Sequence, residues 1–97
     1  MEIEQVANVW DSLTGSPEEA ANMTMRSQLL LAVSDAVKSW NLPQAQAAVR
    51  LGITQPRLND LLRGRIAKFS LDALVNLTAR AGLAIRLDVR EAEQAAA

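Results

Sequence analysis

Residues 44–64 read Gln44-Ala45-Gln46-Ala47-Ala48-Val49-Arg50-Leu51-Gly52-Ile53-Thr54-Gln55-Pro56-Arg57-Leu58-Asn59-Asp60-Leu61-Leu62-Arg63-Gly64, and their pattern decides the fold. Two short segments with apolar residues at helical spacing flank Gly52. In the first, Ala47, Ala48 and Leu51 form the buried side. In the second, Leu58, Leu61 and Leu62 recur at three- and four-residue steps, and Gly64 stops the helix. Thr54 is placed to cap the second segment, because its hydroxyl can accept from a free N–H of the first turn. Gly52 allows the positive φ of a tight turn. Ala48 must be small where the second helix crosses the first. Ile53, Leu58 and Leu61 then bury the inner face, and Thr54, Gln55, Arg57, Asn59, Asp60 and Arg63 occupy the opposite one.

This pairing is a helix-turn-helix, a motif whose second helix lies in the DNA major groove. Upstream, Ser16-Pro17-Glu18-Glu19 is a helix start. Ser16 caps, Pro17 suits the first helical position, and Glu19 completes a capping box. Met25, Leu29, Val33, Ala36, Val37 and Trp40 continue the helical period. The helix must end before Pro43, since the residue preceding Pro disfavours the helical region. Downstream, Ser70 caps a helix carrying Leu71, Leu74, Val75, Leu77 and Thr78, and Gly82 ends it. The period then changes to two. Leu83, Ile85, Leu87 and Val89 alternate with Ala84, Arg86, Asp88 and Arg90, which predicts a strand with one apolar face. A lone strand needs a partner for its backbone groups. Two partners are open: Ile3 to Val9 of the same chain, or the same strand of a second copy. Residues 1–15 read as an arm, either a helical turn carrying Ile3, Val6, Trp10 and Leu13 or an extended segment. Residues 91–97 read as a flexible tail.

The chain has 97 residues and a formal net charge of −1, which by itself argues against a nucleic-acid partner. The charge is segregated. Residues 1–35 hold six acids and one base, residues 36–68 hold six bases and one acid, and residues 69–97 hold four acids and three bases. The middle third therefore carries +5, and the local field matters more than the total. There is no Cys and no His. That excludes a disulfide framework, thiolate metal sites, Cys nucleophiles and every Ser-His arrangement. No enzyme, cofactor or metal is expected. No run of about 18 apolar residues suggests a membrane span, and no leader pattern opens the chain, so a cytoplasmic location is expected.

On Gln44, Ala48, Gly52, Thr54-Gln55, Leu58, Leu61 and Gly64 the chain resembles the Cro/repressor-like (XRE) helix-turn-helix family. The segments Glu18-Glu19-Ala20-Ala21-Asn22 to Leu31 and Phe69-Ser70-Leu71-Asp72-Ala73-Leu74 to the strand look like its HigA-like antitoxin branch. The resemblance covers Ser16 to about Gly82 and implies five helices in order. Pro43 departs from it, standing where the family more often has a capping Thr or Ser. The resemblance implies that Gln44 binds a backbone phosphate and that Gln55 reads a base edge. A Gln amide can pair bidentately with adenine. Pro56 would touch a thymine methyl. Arg57 would read guanine or clamp a phosphate. Asn59 and Asp60 face the groove, where Asp60 either accepts from a cytosine amine or pairs with Arg57 or Arg63. Arg63, Arg65 and Lys68 suit phosphates, which fix register without reading sequence. These arginines could also be only a solvated face, and Gln44 only a helix-start residue.

The expected fold is all-α: a five-helix lambda-repressor-like DNA-binding domain over 16–82, with one C-terminal β-strand over 83–90 pairing across a dimer through Leu83, Ile85, Leu87 and Val89. The expected function is a sequence-specific repressor of double-stranded DNA acting as a homodimer. The resemblance implies a second role as the antitoxin of a RelE-like ribonuclease toxin. A stand-alone or phage-type repressor, and a helical interaction module without DNA binding, are the alternatives. Trp10, Trp40 and Phe69 are expected to pack in the core rather than stack on bases.

Overall fold

A computed structural model describes residues 15–92. Among them the chain forms α1 (Pro17–Trp40), α2 (Gln44–Leu51), α3 (Gln55–Leu62), a 3-10 turn (Ile66–Lys68) and α4 (Leu71–Arg80). The long α1 packs along α4 and supports α3 and the 3-10 turn, α2 crosses α3, and α2 also rests on α4.

Each helix starts and stops where local chemistry dictates. The Ser16 Oγ accepts from the Glu19 N–H at 3.1 Å, with Glu18 and Glu19 in the first turn beside the positive end of the dipole. Asn41 takes the left-handed conformation (φ 54°) and closes α1 two residues before Pro43. The Thr54 Oγ1 accepts from the Arg57 N–H at 3.3 Å, and the Ser70 Oγ from the Ala73 N–H at 3.1 Å. Between α2 and α3, Gly52 has φ 72°, and the Ile53 N–H donates to the Ala48 carbonyl at 3.0 Å. A side chain at Gly52 would be strained by that φ and would also collide with the Arg80 guanidinium, which lies over the turn.

The core lies where α1, α3 and α4 meet. Val33, Leu58, Leu61, Phe69 and Leu74 are fully buried, and Leu51 nearly so. Leu29, Leu30, Val37, Ala47, Ala48 and Leu77 complete it. Burial of each large side chain is worth roughly 1.5–3 kcal/mol, the term that offsets the entropy of ordering so short a chain. Two buried hydroxyls are satisfied within their own helices: Thr24 donates to the Ala20 carbonyl and Thr78 to the Leu74 carbonyl, both at 2.8 Å. Val75, one of the apolar residues carried by α4, is exposed. Phe69 is core, and Trp40 packs against its edge.

Two expectations need correction or restriction. The described residues hold four α-helices, not five, and the remaining helical element is the three-residue 3-10 turn. The reason is spacing: Gly64 (φ 73°) ends the α3 region and Ser70 caps α4, leaving room for one turn only. Residues 83–92 are exposed and form no ladder among the described residues. Their start is anchored, since the Leu83 N–H donates to the Thr78 carbonyl at 3.1 Å. The expectations for the arm (including Ile3 to Val9 and Trp10) and for the end of the tail lie outside the described residues. No helix among the described residues is long and apolar enough to cross a membrane.

Candidate nucleic-acid interface

The surface predicted to meet DNA is built on α3. Leu58 and Leu61 point inward and are fully buried. Thr54, Gln55 and Pro56 are exposed at its first turn. Gln55, Asn59 and Arg63 follow one another at four-residue steps, so they lie on one face. Asn59 is half-buried and Arg63 is exposed, with no ion-pair partner among the described residues. Pro56 falls in the first turn, where the missing N–H costs nothing. Gln44 is the exposed first residue of α2. Pro43 occupies the cap position there without a side-chain hydrogen bond, as expected from its missing hydroxyl.

The structure separates Arg57 and Asp60 from this stripe. Arg57 is half-buried and turned toward the loop after α3. Its guanidinium lies over the Phe69 ring, 4.3 Å from the centroid, and Nη1 donates to the Lys68 carbonyl at 3.1 Å. Asp60 pairs with neither Arg57 nor Arg63. Its Oδ1 is 3.0 Å from Arg65 Nη1 and its Oδ2 is 4.0 Å from Lys68 Nζ. The cause is the left-handed Gly64, which folds the chain back so that the Arg65 N–H donates to the Asp60 carbonyl at 3.0 Å. Arg65 and Lys68 thus stand beside the C-terminal end of α3, half-exposed and shared with one carboxylate.

Arg26 completes this arrangement, and sequence reasoning gave it no role. From α1 its Nη1 donates to the carbonyls of Ile66 (3.3 Å) and Phe69 (3.2 Å), while Nε donates to Asn22 Oδ1 at 2.7 Å. Arg26 and Arg57 therefore hold three carbonyls of the loop that carries Arg65 and Lys68. The available signal was that Arg26 is the lone base among the acids of residues 1–35 and lies one turn after Asn22. On the far side of α2, Arg50 lies over the Trp40 ring, 3.9 Å from its centroid.

The roles of the two arginines can be measured. Arg57→Ala should destabilise the domain by about 1–2 kcal/mol, from the lost ring contact and the charged hydrogen bond to a carbonyl that solvent can reach. At this size that lowers the melting midpoint by roughly 4–16 °C. Arg57→Lys should recover little, because an ammonium cannot lie flat on Phe69 while reaching the Lys68 carbonyl. An unchanged midpoint in the alanine variant would free Arg57 for the groove.

Comparison with known proteins gives one finding. A search of the curated proteins finds no match. A family model described as a helix-turn-helix domain matches residues 14–90, which include all four α-helices, the turn at Gly52 and the exposed stripe of α3. The chain belongs to this helix-turn-helix domain family.

Proposed function

We propose that the protein is a sequence-specific DNA-binding transcriptional regulator, a repressor that binds its operator as a homodimer. The observation that carries this is the two-sided α3: Leu58 and Leu61 lock one side into the core, while Gln55, Asn59 and Arg63 stand along the other. Thr54, Gln55, Pro56 and Asn59 read base edges from the first turns of the helix. Gln55 is the principal reader, because its amide offers a donor and an acceptor to adenine. Gln44, Arg63, Arg65 and Lys68 contact phosphates. The open N-terminus of α2 beside Gln44 suits the same anion. Arg57 and Asp60, expected to read bases, serve instead to set the loop after α3, given their contacts there. One such helix covers few base pairs, so specificity calls for two copies about 34 Å apart on the duplex.

The test is binding to the DNA upstream of the protein's own gene. Gln55→Ala should lose about 1–3 kcal/mol of discrimination at the base pair it reads, roughly 5- to 150-fold, while binding to unrelated DNA stays the same. Unchanged discrimination would move the reading residue elsewhere on α3. No binding at low salt would leave only an interaction module.

The antitoxin role of the HigA-like branch is a second reading. It is favoured by the exposed carboxylates of Glu18, Glu19 and Asp35 on α1, which suit a basic RelE-like ribonuclease. A neighbouring reading frame for a small basic protein that co-purifies with this chain supports it, and a lone gene favours the stand-alone repressor.

A further inference from the structure

Residues 83–91 leave an apolar edge uncovered. Exposure rises along it, from 37% at Leu83 and 41% at Ile85 to 73% at Leu87 and 89% at Val89. The intervening residues carry charge of both signs: Arg86, Asp88 and Arg90. The Arg90 Nη2 lies 2.7 Å from the Asp88 Oδ2, the contact of neighbours two residues apart on one side of an extended chain.

We infer that this segment pairs antiparallel with the same segment of a second copy in one register, with Leu87 on the two-fold axis and Arg86 facing Asp88 of the partner subunit. The inference rests on the homodimer proposed above and adds the register that defines it. In a two-fold antiparallel pair the residue on the axis faces itself, so the choice of centre fixes every other pair. Centring on Arg86 sets two like charges opposite one another. Centring on Asp88 does the same, and also opposes Arg86 to Arg90. Either is destabilising. Centring on Val89 pairs Asp88 with Arg90 but sets Leu87 against Glu91 beside the centre and leaves Ile85 without an apolar partner. Centring on Ile85 leaves Val89, the most exposed of the four, beyond the paired stretch. A slip of one residue sets the apolar side against the charged one. Centring on Leu87 pairs Leu87 with itself and Ile85 with Val89 on one side, and Arg86 with Asp88 twice on the other; Leu83 meets Glu91 only at the two ends of the stretch, where Leu83 is the least exposed of the four. Asp88 then sits between its own Arg90 and the partner's Arg86, so the ion pair already present is kept. The occupant of this edge is therefore a second copy: over residues 85–89 the segment is complementary to itself in apolar pattern and in charge.

Because the natural chain has no Cys, single cysteines report the register without background. In the full chain under mild oxidation, Leu87→Cys should form a disulfide-linked dimer, and Arg86→Cys and Asp88→Cys should not, since only the axial residue lies close enough to its own copy. In sedimentation, Arg86→Asp and Asp88→Arg should each weaken the dimer by about tenfold, as two attractive cross-strand pairs become repulsive, and the double variant should recover it. Helical circular dichroism should be unchanged in all of them. A dimer by sedimentation that cross-links at residue 86 or 88 rather than 87, or that the double exchange does not restore, overturns the register and leaves the dimer standing. A native chain that sediments as a monomer at every concentration overturns both. Cross-linking of Leu87→Cys together with charge-swap rescue supports the register.

Discussion

Phe69→Ala should cost the fold about 3–5 kcal/mol, the range for removing a fully buried aromatic side chain. That is a large part of the 5–15 kcal/mol available to a small domain. Phe69 is fully buried and is the residue on which two separate restraints end. Its carbonyl accepts from Arg26, and its ring carries the Arg57 guanidinium. Truncation opens a cavity between α1, α3 and α4 and removes the surface under Arg57 at the same moment. Phe69→Leu should cost less, since it fills most of the volume, but it still loses the ring contact. Urea titrations should show the midpoint falling in the order wild type, Phe69→Leu, Phe69→Ala, with a common slope. The same variants should loosen the loop bearing Arg65 and Lys68, so DNA affinity should fall under conditions where the protein remains folded. An alanine variant within 1 kcal/mol of wild type would mean that Phe69 is not a core residue.

The sequence shows some of this and hides the rest for a physical reason. Ser16, Thr54 and Ser70 cap the helices that follow them because a hydroxyl three residues before an N–H is a purely local arrangement. Gly52 turns the chain for an equally local reason. Ala47, Ala48, Leu51, Leu58, Leu61, Leu74 and Leu77 are buried as their spacing predicts. Arg57 and Asp60 sit at helical positions that face outward by count alone, and the count does not show the contacts they make with the loop after α3. Their direction depends on where the segment from Arg65 to Phe69 returns after Gly64, and that path is fixed by Arg26 from a helix some forty residues earlier. A long side chain takes the nearest carbonyl or ring, and neither can be located from spacing. Family membership carries the framework and the turn. It does not say which polar residues of α3 are already spoken for.

The last consequence concerns salt. If Arg63, Arg65 and Lys68 of each protomer all reach phosphates, about six counterions leave the duplex per dimer, and log affinity falls with log salt at a slope of about −5. Between 50 and 200 mM that is roughly a thousandfold loss. If Asp60 kept Arg65 and Lys68, only Arg63 would count, the slope would be about −2 and the loss roughly tenfold. The magnitudes favour the first. The Asp60–Arg65 pair is half-exposed on its arginine side, and such pairs are worth about 0–1 kcal/mol. Lys68 at 4.0 Å is held more weakly still. Release of one condensed counterion near 0.1 M salt is worth about 1 kcal/mol for each cation, so the phosphates are expected to win both. Asp60 then acts as a tax on every DNA contact, specific or not, because its carboxylate must give up two partners and stay near the backbone. Asp60→Asn should therefore leave the slope near −5 while tightening operator and unrelated DNA alike, by up to about thirtyfold per dimer. A wild-type slope near −2 that steepens in Asp60→Asn would show instead that Asp60 holds its cations through binding. A variant that loses affinity for the operator alone would return Asp60 to the groove as a reader of bases.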